Sequence, residues 1–299
     1  MNRALFLYML VFPLFILNSQ ALAVDGGAQY SGVFEYSCLS QEEPGHLRTS
    51  YISDIPEKRV FFKIDQGFSY GRLLDQRMSN LHYAGPGGML AFSRHVDAPG
   101  YQSSISFARL GFHYTRPHHE GSVVYNPVAG IRYMHMRRLE TEGLLDIHLG
   151  AQVDIYGNIR IAPFLSNSFL FSDVMAEVQP RAEIAYIPVF LDREWHFDFQ
   201  LSLGLLGYGM RLPEYATTFQ PSEDGSYRVF DRESMILRPG NYARLSGGIF
   251  FRDTFGDAYN PNRYRIGYVW DYYRISGSHN LNTYNANHQI VLELYFMMN

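Results

Sequence analysis

The sequence predicts an all-β protein: a single antiparallel transmembrane β-barrel of about 12 strands, with 10 to 14 allowed. Three observations carry this. Apolar and polar residues alternate with period two over segments of about ten residues, longer than the ~5–6 of ordinary sheets and matched to a tilted membrane strand. Aromatics reach 16% while charged residues are 18%, below the roughly 25% of an ordinary soluble domain. After the N-terminal segment, no stretch approaches the ~20 apolar residues of a helical span, so a membrane could be crossed only by a closed barrel.

Residues 1–23 read as an export signal. Arg3 supplies the positive start, 4–17 (ALFLYMLVFPLFIL) the apolar stretch, and Ala21-Leu22-Ala23 the small-residue cleavage site. The expected barrel domain is then 24–299, or 299 − 23 = 276 residues, with formal charge moving from −4 to −5 on loss of Arg3. That balance gives no basic footprint for nucleic acid. The single Cys38 excludes a disulfide framework.

Alternation is clearest in four segments. In 145–156, Leu145, Ile147, Leu149, Ala151, Val153 and Ile155 oppose Asp146, His148, Gly150, Gln152, Asp154 and Tyr156. In 195–205, Trp195, Phe197, Phe199, Leu201, Leu203 and Leu205 oppose His196, Asp198, Gln200, Ser202 and Gly204. Segments 264–272 and 288–296 behave alike. Further strands are expected near 29–38, 46–55, 59–72, 87–96, 102–115, 127–140, 159–172, 180–190 and 241–253. Turn signals fall at 140–143, Gly157-Asn158, 192–194 and 239–241.

Periodicity alone does not say which face meets water, because a soluble β-protein would turn its apolar stripe inward. Small and hydrogen-bonding residues on the polar faces, with Tyr, Phe and Trp near strand ends, favour a polar lumen and interfacial aromatic girdles. Counting back from a last strand that ends in the periplasm puts 276–287 and 211–240 outside, and 254–262 and 191–194 inside. The connections 73–86 and 116–126 look too long for the periplasmic turns this count makes them.

The segment 260–271 (NPNRYRIGYVWD) followed by 287–296 (NHQIVLELYF) resembles the last hairpin of Bacteroidetes-type outer-membrane β-barrel proteins. A related pattern occurs in the PorP/SprF-like barrels of secretion and gliding machinery. It is matched here by Gly267, Tyr268, Asp271, His288, Ile290, Leu292 and Phe296, with Gln289 in place of the Glu. Segment 72–85 (RLLDQRMSNLHYAG) is similar to uncharacterised barrels of the same kind. The resemblance implies location in the cell outer membrane, with outer-membrane lipid and envelope or secretion proteins as partners.

Two clusters could carry chemistry. His113, His118, His119 and Glu120 are the densest set of metal-ligand types, but adjacent residues on an extended chain point oppositely and no paired ligand spacing accompanies them. His148, His196 and Ser202 are the residue types of a hydrolytic site, yet need cross-strand partners to meet. No metal or other cofactor is expected. Of the 25 basic residues only Lys58 and Lys63 are Lys, and Arg suits desolvated ion pairs. Arg244, Arg265, Asp271, Asp146, Asp154 and Asp198 are therefore read as a lumenal charge network, structural in the first reading and a selectivity lining in the second. The expected function is a monomeric outer-membrane barrel with a structural, binding or narrow-transport role. The rivals are a lipid-modifying hydrolase, an accessory barrel of a secretion or motility machine, and a soluble periplasmic β-protein.

Overall fold

The computed structural model describes residues 58–117, 122–139, 144–165, 170–190, 193–211, 220–221, 227–228, 233–255, 262–276 and 282–298. The signal segment, Cys38, the strands expected near 29–38 and 46–55, and His118, His119 and Glu120 lie outside these residues.

Alternation becomes strand throughout. In chain order the elements are β1 (Arg59–Asp75), β2 (His82–Ala98), β3 (Tyr101–Pro117), β4 (Val124–Leu139), β5 (Leu145–Ile161) and β6 (Leu170–Tyr186). A short hairpin follows, β7 (Val189–Phe190) and β8 (Arg193–Glu194), then β9 (His196–Gly204) and β10 (Leu206–Arg211). A second short hairpin, β11 (Gln220–Pro221) and β12 (Tyr227–Arg228), precedes β13 (Glu233–Leu237). The chain ends with β14 (Tyr242–Phe255), β15 (Asn262–Ser276) and β16 (Asn282–Met297).

The sheet closes on itself because β1 pairs antiparallel with both β2 and β16, and β6 with β9 as well as β5. Ten strands form the ring: β1–β6, β9 and β14–β16. Beyond Leu205, β10 continues along β6, and β13 lies against β10 before the turn into β14. Several ring strands run to 17 residues. At ~3.3 Å per residue and a tilt of 35–45° these overreach a ~25 Å apolar band at both rims.

The count falls to ten partly because Gly157-Asn158 is no turn. Both residues stay in β5, where Gly157 pairs with Ala129 on one side and Val174 on the other. Ladders on both edges outweigh a local turn preference. Residues 159–172 are accordingly divided between the end of β5 and the start of β6. With ten strands, 73–86 and 116–126 fall at the same end as 211–240 and 276–287. That end carries the longest connection, from β10 to β14, and the other carries the shortest, the two-residue turn 99–100.

Outward positions are apolar: Phe68, Leu110, Leu149, Val153, Leu201 and Ile290 are all exposed on the wall. Inward positions are polar and buried. Two irregularities keep this phase. Ser93 pairs with Ser106 but Phe92 with Ala108, so Phe107 is an extra residue. Gln102 and Ser106 before it, and Arg109 and His113 after it, thus all face inward. Leu205 does the same between β9 and β10, placing both Gly204 and Arg211 inside.

A charge at mid-wall should therefore be costly. Val153→Arg, near the middle of β5, is expected to destabilise the barrel in lipid vesicles by ~2–4 kcal/mol, measured by guanidinium unfolding. Unchanged stability would argue against a lipid-facing wall.

Candidate functional site

Every second residue of ten strands shares one interior, so the candidate site is the lumen, and it is built in three tiers. The first lies at the end with the long connections. Asp75 closes β1, Asp173 follows Phe171 on the inward face of β6, and both aspartates are fully buried. Arg77, in the turn after β1, donates to Asp75 at 3.0 and 2.8 Å and to Asp173 at 3.0 Å. Arg160 donates to Asp75 at 2.6 Å and to Asp173 at 2.5 Å. Arg211 reaches Asp173 at 3.0 Å and also donates to Thr283, which in turn donates to Asp75 at 3.1 Å. Three guanidiniums thus enclose two carboxylates. Leu73, Met78, Tyr83, Val124, Ala162 and Phe171 pack together at this end.

The second tier centres on Asp154. Arg109 meets it at 2.6 Å, Arg132 at 2.7 Å and Arg244 at 3.5 Å. Arg244 also holds Asp271 at 2.9 and 2.7 Å and bonds Glu177, to which Tyr242 donates as well. Its guanidinium lies 4.9 Å from the Tyr156 ring centre. Gly204 makes this possible: a Cβ there would sit 2.5 Å from Glu177 Oε2 and 2.8 Å from Arg244 Cβ.

In the third tier Lys63 bridges Asp65 and Glu293, each at 3.0 Å. Arg265 lies 3.1 Å from Asp198 and 3.5 Å from both Glu183 and Glu293, with Phe250 beneath it at 4.4 Å. Arg181 pairs with Glu183 at 3.5 Å. A polar cavity of about 130 Å³ separates this tier from the second, with Arg109, Arg132 and Asp271 on one side and Arg181, Arg265 and Glu293 on the other.

Five of the six residues read as a charge network belong to these tiers: Arg244, Asp271 and Asp154 to the second, Arg265 and Asp198 to the third. Asp146 stands apart, paired with Arg138 at 2.9 Å. The hydrolytic candidates do not meet. His148 lies 3.9 Å from Asp146 and faces Glu183 across the ladder, and Glu183 faces Gln200 on β9, so β6 separates His148 from Ser202. Ser202 Oγ is buried without a hydrogen bond. His196 contacts Arg252 at 3.3 Å and Glu194 at 3.9 Å. His113 points into the lumen, where Ser69 at 3.1 Å and Asn287 at 3.3 Å share its Nε2 while Nδ1 has no partner. A nucleophile and its orienting group must use different ring nitrogens, so this is not triad geometry. Among the described residues no group of three or more His, Cys, Asp or Glu is disposed to hold a metal.

Sequence reasoning missed Asp75, Arg77, Asp173, Glu177, Glu183, Arg211, Glu293 and Lys63 as network members. A usable signal existed in β6, whose inward face includes Asp173, Glu177, Gln179, Arg181 and Glu183 beside Phe171, Met175 and Ala185. The expected strands 159–172 and 180–190 leave the first half of that face between them.

No family model matches the sequence, and no curated protein matches it. Among solved structures the chain is similar to the outer membrane protease OmpT from Escherichia coli, at 7% identity, 81% of this chain, 96% of that one and TM-score 0.41. It is similar to the translocator domain of the autotransporter NalP from Neisseria meningitidis, at 12% identity, 82% and 92% coverage and TM-score 0.39. For the β domain of the Bordetella autotransporter BrkA the figures are 11%, 77%, 98% and 0.33. These likenesses concern the barrel fold and nothing finer.

Removing Asp154 leaves Arg109 and Arg132 without a carboxylate, while Arg244 keeps Asp271 and Glu177. Asp154→Ala should cost ~3–5 kcal/mol, the cost of breaking a buried pair. Asp146→Ala, with a partly exposed carboxylate, should cost at most about 1 kcal/mol. Equal losses in guanidinium unfolding would contradict the tiered arrangement.

Proposed function

We propose that this protein is an outer-membrane β-barrel, exported by its 1–23 segment, whose lumen serves a structural and binding role and is closed to ion flow. The observation that carries this is the first tier, where Asp75, Arg77, Arg160, Asp173 and Arg211 fill the barrel end at near-zero exposure. The apolar wall and polar interior supply the membrane half of the reading. The end with the long connections then faces outward and both strand-bearing termini face the periplasm, as bacterial barrels prefer. The hydrolytic alternative draws no support from His148, His196 and Ser202, which do not meet. The resemblance of the last hairpin to PorP/SprF-like barrels favours a second reading, an accessory barrel of an envelope machine. That reading expects co-purification with partner proteins and no conductance of its own.

The purified protein should need detergent, shift on a denaturing gel when boiled, and give no unitary steps in planar bilayers. Arg77→Ala combined with Arg160→Ala should introduce steps while keeping the heat-dependent shift. Wild-type steps would overturn the closed lumen, and a protein soluble without detergent would overturn the membrane reading.

A further inference from the structure

The outer wall carries a charge pattern unlike the lumen. Across the described outward positions of the ring strands stand Arg72, Arg94, Arg116, Arg137 and Arg274, against one carboxylate, Asp253, at the short-turn end. Three of the five gather at the long-connection rim. Register places Tyr272, Ala286, Arg72, Ala84 and Arg116 side by side on β15, β16, β1, β2 and β3. Arg274, Tyr284, Leu74 and His82 form the adjoining row toward the rim. Arg72 and Arg116, two strands apart, are separated by ~10 Å along the wall.

These arginines are exposed, and among the described residues none of the three makes an ion pair, whereas the lumenal arginines of the three tiers are paired with carboxylates. Arg274 is steadied over the Tyr284 ring at 5.7 Å. Small Ala84 and Ala286 leave space on either side of Arg72. A groove of about 450 Å³ opens there, bounded by Arg72, Leu74, Gln76, His82, Tyr272 and Tyr284. One row toward mid-membrane stand Trp270, His288, Tyr70 and Pro86. Such aromatics mark the level where headgroups give way to acyl chains. The patch is cationic, unpaired, grooved and set at headgroup height.

We propose that Arg72, Arg116 and Arg274 bind the phosphates of an anionic glycolipid of the outer leaflet, its acyl chains descending over Tyr70 and Trp270. Guanidinium pairs phosphate bidentately, and no outward carboxylate of these rows competes. The assignment rests on the outward orientation of the long-connection end.

The test is native mass spectrometry of the detergent-purified full chain with bisphosphorylated lipid A, with phosphatidylglycerol as competitor. The wild type should retain lipid A in preference. Replacing Arg72, Arg116 and Arg274 by Gln should lower retention at least about tenfold. Replacing Arg94 and Arg137, at the opposite rim, should leave it unchanged. Equal retention by the triple variant, or preference for phosphatidylglycerol, overturns the proposal. The boiling shift of each sample separates the two failures: a shifting barrel that ignores lipid A removes only this site, and a chain that never shifts removes the membrane reading with it.

Discussion

Two carboxylates, each shared by three guanidiniums, hold the interior together. Asp173 receives Arg77, Arg160 and Arg211, and Asp154 receives Arg109, Arg132 and Arg244. A ten-stranded ring has too little room for bulk water at these levels and too many inward positions to leave charged residues unpaired. Burying a guanidinium is unfavourable unless its charge and hydrogen-bonding groups are met. The two aspartates meet the charge part of that requirement for residues from the β1–β2 turn, β3, β4, β5, β10 and β14 at once, while Arg132 Nε, Arg160 Nε and Arg211 Nη1 stay buried without a hydrogen bond. They join strands that the backbone ladder does not.

Such a lattice says more about which fold forms than about how stable it is. Buried ion pairs often contribute little net stability compared with apolar packing. Slipping one strand by a single residue, however, would turn its charges toward lipid and its leucines toward the lumen. Register is thereby fixed from both faces. The extra residues at Phe107 and Leu205 belong to the same logic. Each reverses the alternation of its strand at one point, so that Arg109 and Arg211 stay with the aspartates they serve.

The two surfaces answer different solvents. Inside, arginine is matched almost one for one by acid, and small cavities of about 130 and 90 Å³ lie between the charged side chains. Outside, the wall is apolar across the middle, aromatic toward the edges and cationic at the long-connection rim, with Asp253 the sole outward acid of the described ring strands. An uncompensated positive rim is stable beside anionic headgroups and would be unfavourable beside hydrocarbon, so charge placement follows depth in the bilayer.

The sequence by itself determined the class of fold, the division of β5, β9, β15 and β16 into an apolar and a polar face, and the absence of a long apolar segment after residue 17. These are local properties, since period two is written along one strand and needs no partner to be read. The tertiary structure alone decided that the ring closes at ten strands, that 157–158 continues a strand, and that Asp75 meets Arg160 across 85 residues. It also decided that His148, His196 and Ser202 stay apart while Arg72, Arg116 and Arg274 gather. The physical reason is that cross-strand neighbours are chosen by register and ring closure. Those satisfy every strand's hydrogen bonds together and leave no trace in any single segment.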